Sequence, residues 1–224
     1  MFSIYIFTQA VLFTGTMWAQ YTNRYALTDQ MVYLCILLNA VVILYKSFLT
    51  RKNRSPVSVA GMHTILPPAI LLLTLCADTL LVLLDIWHLA GVALFGCVHI
   101  LYAVYLIPER ERFLLRDLLL RFMLLIALLL TVILSGRFSL LAMAAAFSFS
   151  QLLSGTVLSI LIAAKTRARR DHLLTAGLLL FLACDICVGL RNAELSAAVE
   201  DAAYMLNWIF YIPSQFLITY SFLL

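Results

Sequence analysis

Charge is scarce in this sequence: Asp, Glu, Lys and Arg make up 12% of its 224 residues, while 64% are apolar. An ordinary soluble domain is about a quarter charged and about half apolar. A water-soluble globule is therefore excluded, since a fold of this size has too little interior to hide so much apolar side chain. A bilayer is the remaining solvent. Glycine is sparse too, eight residues in all, and none builds a phosphate-cradling loop. No Gly-x-Ser-x-Gly elbow occurs, because Ser135-Gly136 and Ser154-Gly155 lack that context. Of the four histidines, His63, His88 and His172 fall near the ends of apolar runs and only His99 lies deep. That argues against a dedicated metal site, and nothing points to a cofactor. Cys35, Cys76, Cys97, Cys184 and Cys187 all sit in apolar runs and read as small buried hydrophobes, not as a disulfide framework. The net charge of +4 does not imply nucleic acid, because the basic residues lie between apolar stretches.

What is present is apolar length. A spanning helix needs about 20 mostly apolar residues, because lipid offers the backbone no hydrogen-bond partner. Eight such stretches occur, over residues 2–20, 30–49, 64–85, 87–106, 115–135, 138–164, 172–190 and 203–224. The sequence thus predicts an all-α polytopic membrane protein, its eight transmembrane helices forming one bundle and one integral domain over 1–224. The first stretch is interrupted by Thr8, Gln9, Thr14 and Thr16; it has no basic leading region, so it is expected to be a span and not a signal peptide. Pro67, Pro68 and Pro213 are expected to kink or locally unwind their helices. The loops after the second, fourth and sixth spans, with their edges, hold Lys46, Arg51, Lys52, Arg54, Arg110, Arg112, Arg116, Arg121, Lys165, Arg167, Arg169 and Arg170, against Arg24, Arg137 and Arg191 opposite. That bias predicts cytoplasmic N- and C-termini; it does not choose between a bacterial cell membrane and an ER membrane. Leu75-Cys76-Ala77-Asp78 in the third span is echoed by Leu182-Ala183-Cys184-Asp185 in the seventh, as a 4+4 repeat in parallel orientation would produce.

Asp78 and Asp185 are the sharpest feature. Each lies roughly 9 to 12 Å below the non-cytoplasmic end of its span at 1.5 Å per residue, where a carboxylate costs at least a few kcal/mol unless a cavity or partner receives it. Their common depth lets them meet. Two carboxyl groups converging in low dielectric cannot both ionise cheaply, so one is expected to keep its proton and the pair to work as acid and base. The plainer alternative is that each simply hydrogen-bonds a neighbouring helix. Other polar groups gather nearby: His99 and Tyr102 on one face of the fourth span, Asn39 in the second, Gln151 in the sixth, and Asn207, Trp208, Tyr211 and Gln215 in the eighth. Trp208 and Tyr211 also suit interfacial anchoring. His99 and Gln215, roughly 18 Å down their helices, would line the floor of a pocket.

The run 72–105 with Asp78, Gly91, Phe95, His99 and Tyr102, followed by Phe181, Asp185, Trp208, Tyr211 and Gln215, resembles the YhhN family of membrane proteins, whose animal members include lysoplasmalogenases. The resemblance covers the chain from about residue 65 onward and implies eight spans. It departs from the usual pattern in Ala77-Asp78 for Gly-Asp, Cys184-Asp185 for Ser-Asp and Lys46-Ser47 for Lys-Pro. It also implies a hydrolase of the vinyl ether of lysoplasmalogens, releasing fatty aldehyde and a glycerophospho-head group. Such ethers are cleaved by protonation on carbon and capture of the oxocarbenium ion by water, which asks for a positioned acid and a nearby negative charge. On that reading Asp78 and Asp185 are catalytic, while His99, Tyr102, Trp208, Tyr211, Gln215, Asn39 and Gln151 bind the lysophospholipid, which arrives from the surrounding membrane lipid. An intramembrane aspartyl protease is disfavoured, because Cys76-Ala77 precedes Asp78 where that family has Gly-x-Gly. A carrier relaying protons or a cation through the same aspartates is the alternative from another class, and a lipid-binding structural protein is a third.

Overall fold

The computed structural model describes residues 2–52, 60–106, 114–136, 138–193 and 195–224. Arg54, Arg110, Arg112 and Arg137 lie outside the described residues, as do the side chains of Arg51, Lys52 and His63. Among the described residues the chain forms eight α-helices and no strand: α1 (Phe2–Tyr21), α2 (Tyr25–Lys52), α3 (Ala60–Asp78), α4 (His88–Leu106), α5 (Leu114–Leu134), α6 (Leu140–Thr166), α7 (Arg169–Arg191) and α8 (Ala197–Leu223). Each answers one of the expected spans. Six of them, α2 to α7, are long and apolar enough to cross a membrane, as befits a multi-pass membrane protein. Helices α1 and α8 have the length, 20 and 27 residues, but carry more polar side chains. Those side chains face inward: Gln9, Thr16 and Gln20 of α1 and Asn207, Ser214, Gln215, Thr219 and Ser221 of α8 are buried. A helix can show lipid an apolar face while its polar groups bind neighbouring helices.

The bundle is consequently polar in places inside and apolar outside. Leu115, Leu118, Phe122, Met123, Leu130 and Ile133 of α5 are all exposed. Cys76 and Cys97 face outward as well, correcting the expectation that all five cysteines are buried; only Cys35, Cys184 and Cys187 are. Consecutive helices pack on one another along α1–α4 and along α5–α8, and the two sets meet where α4 packs on α6 and α8 packs on α2. Those two cross-contacts are equivalent under an exchange of the halves, but α1 also packs on α8, and that contact has no comparable counterpart between α5 and α4 among the described residues.

Neither α3 nor α8 unwinds at its prolines. Helix α3 runs through Pro67 and Pro68, and α8 through Pro213. Neighbouring helices can satisfy the freed carbonyls, so a proline need not end a buried helix. The irregularity falls instead directly after Asp78, where residues Thr79–Leu83 form a π-helical turn.

Polar contacts tie the helices pairwise. Asn39 Oδ1 accepts from Tyr5 Oη and from Gln9 Nε2, each at 2.7 Å, and Gln9 Nε2 also donates to the Cys35 carbonyl at 3.0 Å. Lys46 Nζ donates to the Phe222 carbonyl at 2.9 Å, fastening the end of α8 to α2. Arg121, expected among the interfacial charges, is buried between α5 and α6. Its Nε donates to Asp117 Oδ2 at 2.6 Å and its Nη1 to Gln151 Oε1 at 2.8 Å. Removing one partner of such a pair leaves an uncompensated buried charge. Arg121→Met alone is therefore expected to cost ~3–5 kcal/mol, while Asp117→Leu with Arg121→Met regains most of it. Thermal unfolding of the purified variants in one detergent measures this, and equal losses in the single and double variants would refute it.

Candidate active site

Asp78 ends the regular part of α3 with 1% of its surface exposed. Its neighbours Thr74 and Ala77 are fully enclosed. Beyond it the hydrogen bonding widens, the Leu84 amide reaching the Thr79 carbonyl at 3.0 Å. Such turns, i to i+5, are rare and recur at functional sites. Two contacts hold the turn: the Thr79 hydroxyl, bonded to the Leu75 carbonyl at 2.7 Å, lies 3.2 Å from Tyr33 Oη of α2, and Leu81 rests on Gly91 of α4. A Cβ at Gly91 would stand 2.4 Å from Leu81 Cγ, so any side chain there would push the turn away.

The Asp78 carboxylate is answered from the far end of the chain. Tyr211 Oη of α8 donates to Asp78 Oδ2 at 2.5 Å, and both residues are buried. Tyr211 belongs to an aromatic cluster. Its ring meets Phe181 edge-on at 5.6 Å and Trp208 at 6.1 Å; Phe181 in turn meets His99 at 5.1 Å and Phe95 at 5.6 Å, and His99 stacks near Tyr102 at 6.2 Å. Gly177 makes room for this. A Cβ there would fall 2.6 Å from Ile218 Cγ1 and 3.0 Å from the Ser214 carbonyl, so α7 and α8 approach at backbone distance. One turn further on, Phe181 reaches Tyr211.

Several polar atoms inside the cluster are unanswered. Both ring nitrogens of His99, the Tyr102 hydroxyl and both amide atoms of Gln215 are buried with no hydrogen-bond partner. Buried polar groups normally find one, and exceptions in a native core mark the place of water, a ligand or a reacting group. Gln215 lies one turn beyond Tyr211 on α8 and has no exposed surface.

Asp185 is placed differently. It is half-buried on α7, and no hydrogen bond joins it to Asp78. The connection runs through α8: the Cys184 thiol donates to Asn207 Oδ1 at 3.0 Å, and Asn207 precedes Tyr211 by one turn. Cys184 lies within electrostatic reach of both carboxylates. The structure thus brings Asp78, His99, Tyr102, Trp208 and Tyr211 into one network. Asn39 and Gln151 are taken up elsewhere, Asn39 by α1 and Gln151 by Arg121, because each meets a donor on an adjacent helix. Phe181 was named only as part of the resemblance and Asn207 only as a nearby polar group; the Cys184–Asn207 contact and the π turn had no sign in the sequence, and the i, i+4 spacing of Asp117 and Arg121 was the one readable sign of their pairing.

The model of the YhhN family matches residues 31–222. The chain belongs to the YhhN family. No curated protein and no solved structure matches it. The YhhN match begins within α2 and takes in both aspartates and the whole aromatic cluster, leaving α1 outside.

If the Tyr211 hydroxyl is what makes Asp78 tolerable, Tyr211→Phe strands a buried carboxyl group. The expected loss is ~1–3 kcal/mol, largely recovered when Asp78→Leu is added. Unfolding midpoints of the single and double variants decide it; an unchanged midpoint for Tyr211→Phe would show that the bond carries no weight.

Proposed function

We propose that the chain hydrolyses the vinyl-ether bond of lysoplasmalogen-type lysophospholipids, with Asp78 and Asp185 supplying the proton and the negative charge. The observation that carries this reading is the buried Asp78–Tyr211 pair set among unanswered polar atoms of His99, Tyr102 and Gln215. A carboxyl group held in place at this depth is an acid or base prepared in advance, in surroundings where charge acts strongly. The lipid substrate class is inferred from the resemblance to lysoplasmalogenases, with which YhhN membership is consistent. One carboxyl group protonates the vinyl carbon; the resulting oxocarbenium ion, stabilised by the other, takes up water, and the hemiacetal collapses to aldehyde and a free glycerol hydroxyl. The two acids act from different places, Asp78 bonded to Tyr211 of α8 and Asp185 half-buried on α7. The apolar cluster of Phe95, Phe181 and Trp208 suits the first carbons of an alkenyl chain.

The basic bias supports cytoplasmic termini, with the aspartates nearer the opposite face. Among the described residues, the end of the bundle bearing Lys46 is drawn together by Lys46 on the Phe222 carbonyl, by Phe222 against Tyr105 at 5.0 Å, and by Arg170 over the Tyr105 ring at 5.0 Å. Closure at that end supports a hydrolase over a carrier, which requires access from both faces.

Purified protein in detergent is expected to release aldehyde from a lysoplasmalogen, and Asp78→Asn and Asp185→Asn are each expected to lose about a hundredfold or more, the usual size of acid–base effects. Aldehyde release at the wild-type rate from either variant would remove that residue from the mechanism.

A further inference from the structure

The end of the bundle opposite Lys46 carries a second group of side chains that the proposed hydrolysis does not use. Asp29 of α2 lies within electrostatic reach of both Asp85, beyond the π turn, and Arg191, at the end of α7. Arg191 covers the Tyr204 ring at 4.8 Å, and Tyr25 meets Tyr204 edge-on at 5.5 Å. Asp85 is exposed and bonded to His88 at 3.0 Å. These groups come from three separate parts of the chain, yet Asp29 and Arg191 both reach Tyr204 of α8, and Asp85 reaches Asp29.

A buried polar atom points the same way. Trp208 is 7% exposed and its indole nitrogen has no acceptor in hydrogen-bond geometry. It is turned toward Tyr204, the rings meeting edge-on at 6.3 Å. This N–H faces Tyr204, whose ring Arg191 covers, and is free to turn to an anion that enters beside the guanidinium. The two carboxylates beside it present the opposite charge. A site with cation and N–H on one side and two anions on the other fits a ligand that is itself a dipole.

Its distance from Asp78 sets the size of that ligand. Tyr204 stands seven residues before Tyr211, so the mouth lies about 10 Å along α8 from the Asp78 carboxylate. In a lysoplasmalogen, nine bonds separate the vinyl-ether oxygen from the head-group nitrogen, a reach of about 11 Å at the ~1.2 Å per bond of an extended chain.

We infer that this mouth binds the zwitterionic head group of the lysophospholipid, its ammonium on the Asp29 and Asp85 carboxylates and its phosphate on the Arg191 guanidinium and the Trp208 indole N–H. The choice of ligand rests on the hydrolase reading. The site sets how far the lipid enters: with the head group seated, the ether bond stands level with Tyr211 and Asp78.

The probes that test it are saturated 1-O-alkyl lysophospholipids, which contain nothing to hydrolyse. One carries phosphoethanolamine and the other phosphate alone, and each is titrated calorimetrically into the full-length protein in an uncharged maltoside detergent. Wild type is expected to bind the ethanolamine probe about tenfold more tightly, the size of one partly desolvated ion pair. Asp29→Asn and Asp85→Asn remove that preference, and Arg191→Gln weakens both probes. Asp85 and Arg191 are exposed, so their variants keep the fold, and monodispersity on a sizing column checks this. Equal binding of the two probes by wild type, or a preference untouched in both aspartate variants, overturns the inference. If the preference is present but no aldehyde is released from a vinyl ether, the head-group site stands and the hydrolase reading falls. Aldehyde release with KM and head-group preference unmoved in all three variants has the reverse meaning.

Discussion

Asp78 and Tyr211 are 133 residues apart in sequence and joined by one hydrogen bond. In lipid, an unanswered carboxyl group would push its helix out of place, so the position of α3 relative to α8 follows from this contact. Much else in the bundle serves it. Gly177 lets α7 come close enough to α8 to press Phe181 on Tyr211. The Cys184 thiol on Asn207 fixes the same two helices one turn nearer the mouth. Helix α2, through Lys46, holds the other end of α8. The last helix is therefore the axis of the site, although its polarity made it one of the weaker candidates for a membrane span.

The helices were legible because lipid imposes a simple rule, and stretches of about 20 apolar residues obey it. The two aspartates were legible for the converse reason, since a charge in such a stretch breaks the rule visibly. What remained hidden was contact. Asn39 and Gln151 carry the same kind of signal as His99 and Gln215, a polar residue in an apolar helix. Only the packing shows that the first pair are spent on Tyr5, Gln9 and Arg121 while the second keep unpartnered atoms. Arg121 was read as an interfacial charge because it lies near a basic loop; its partner Asp117, one turn earlier, turns it inward.

The prolines mislead for a related reason. Pro67, Pro68 and Pro213 each remove a backbone donor, yet α3 and α8 continue through them. The departure from α-geometry occurs at Thr79–Leu83, a run of ordinary helix formers. Its cause is tertiary: Leu81 must reach the bare backbone of Gly91, and Thr79 must face Tyr33. No local propensity records either demand.

That turn divides α3 into a post and a cap. Below it, the helix from Ala60 is fixed by its neighbours and ends in Asp78; above it, none of the five residues of the turn is buried, and the backbone reverses through Asp85 and Trp87, both held at positive φ. The Asp78 carboxyl group thus belongs to the enclosed piece, while the loop beside it belongs to the exposed one. On the proposed reading, an amphiphile entering from the leaflet meets this exposed cap first and the enclosed acid behind it.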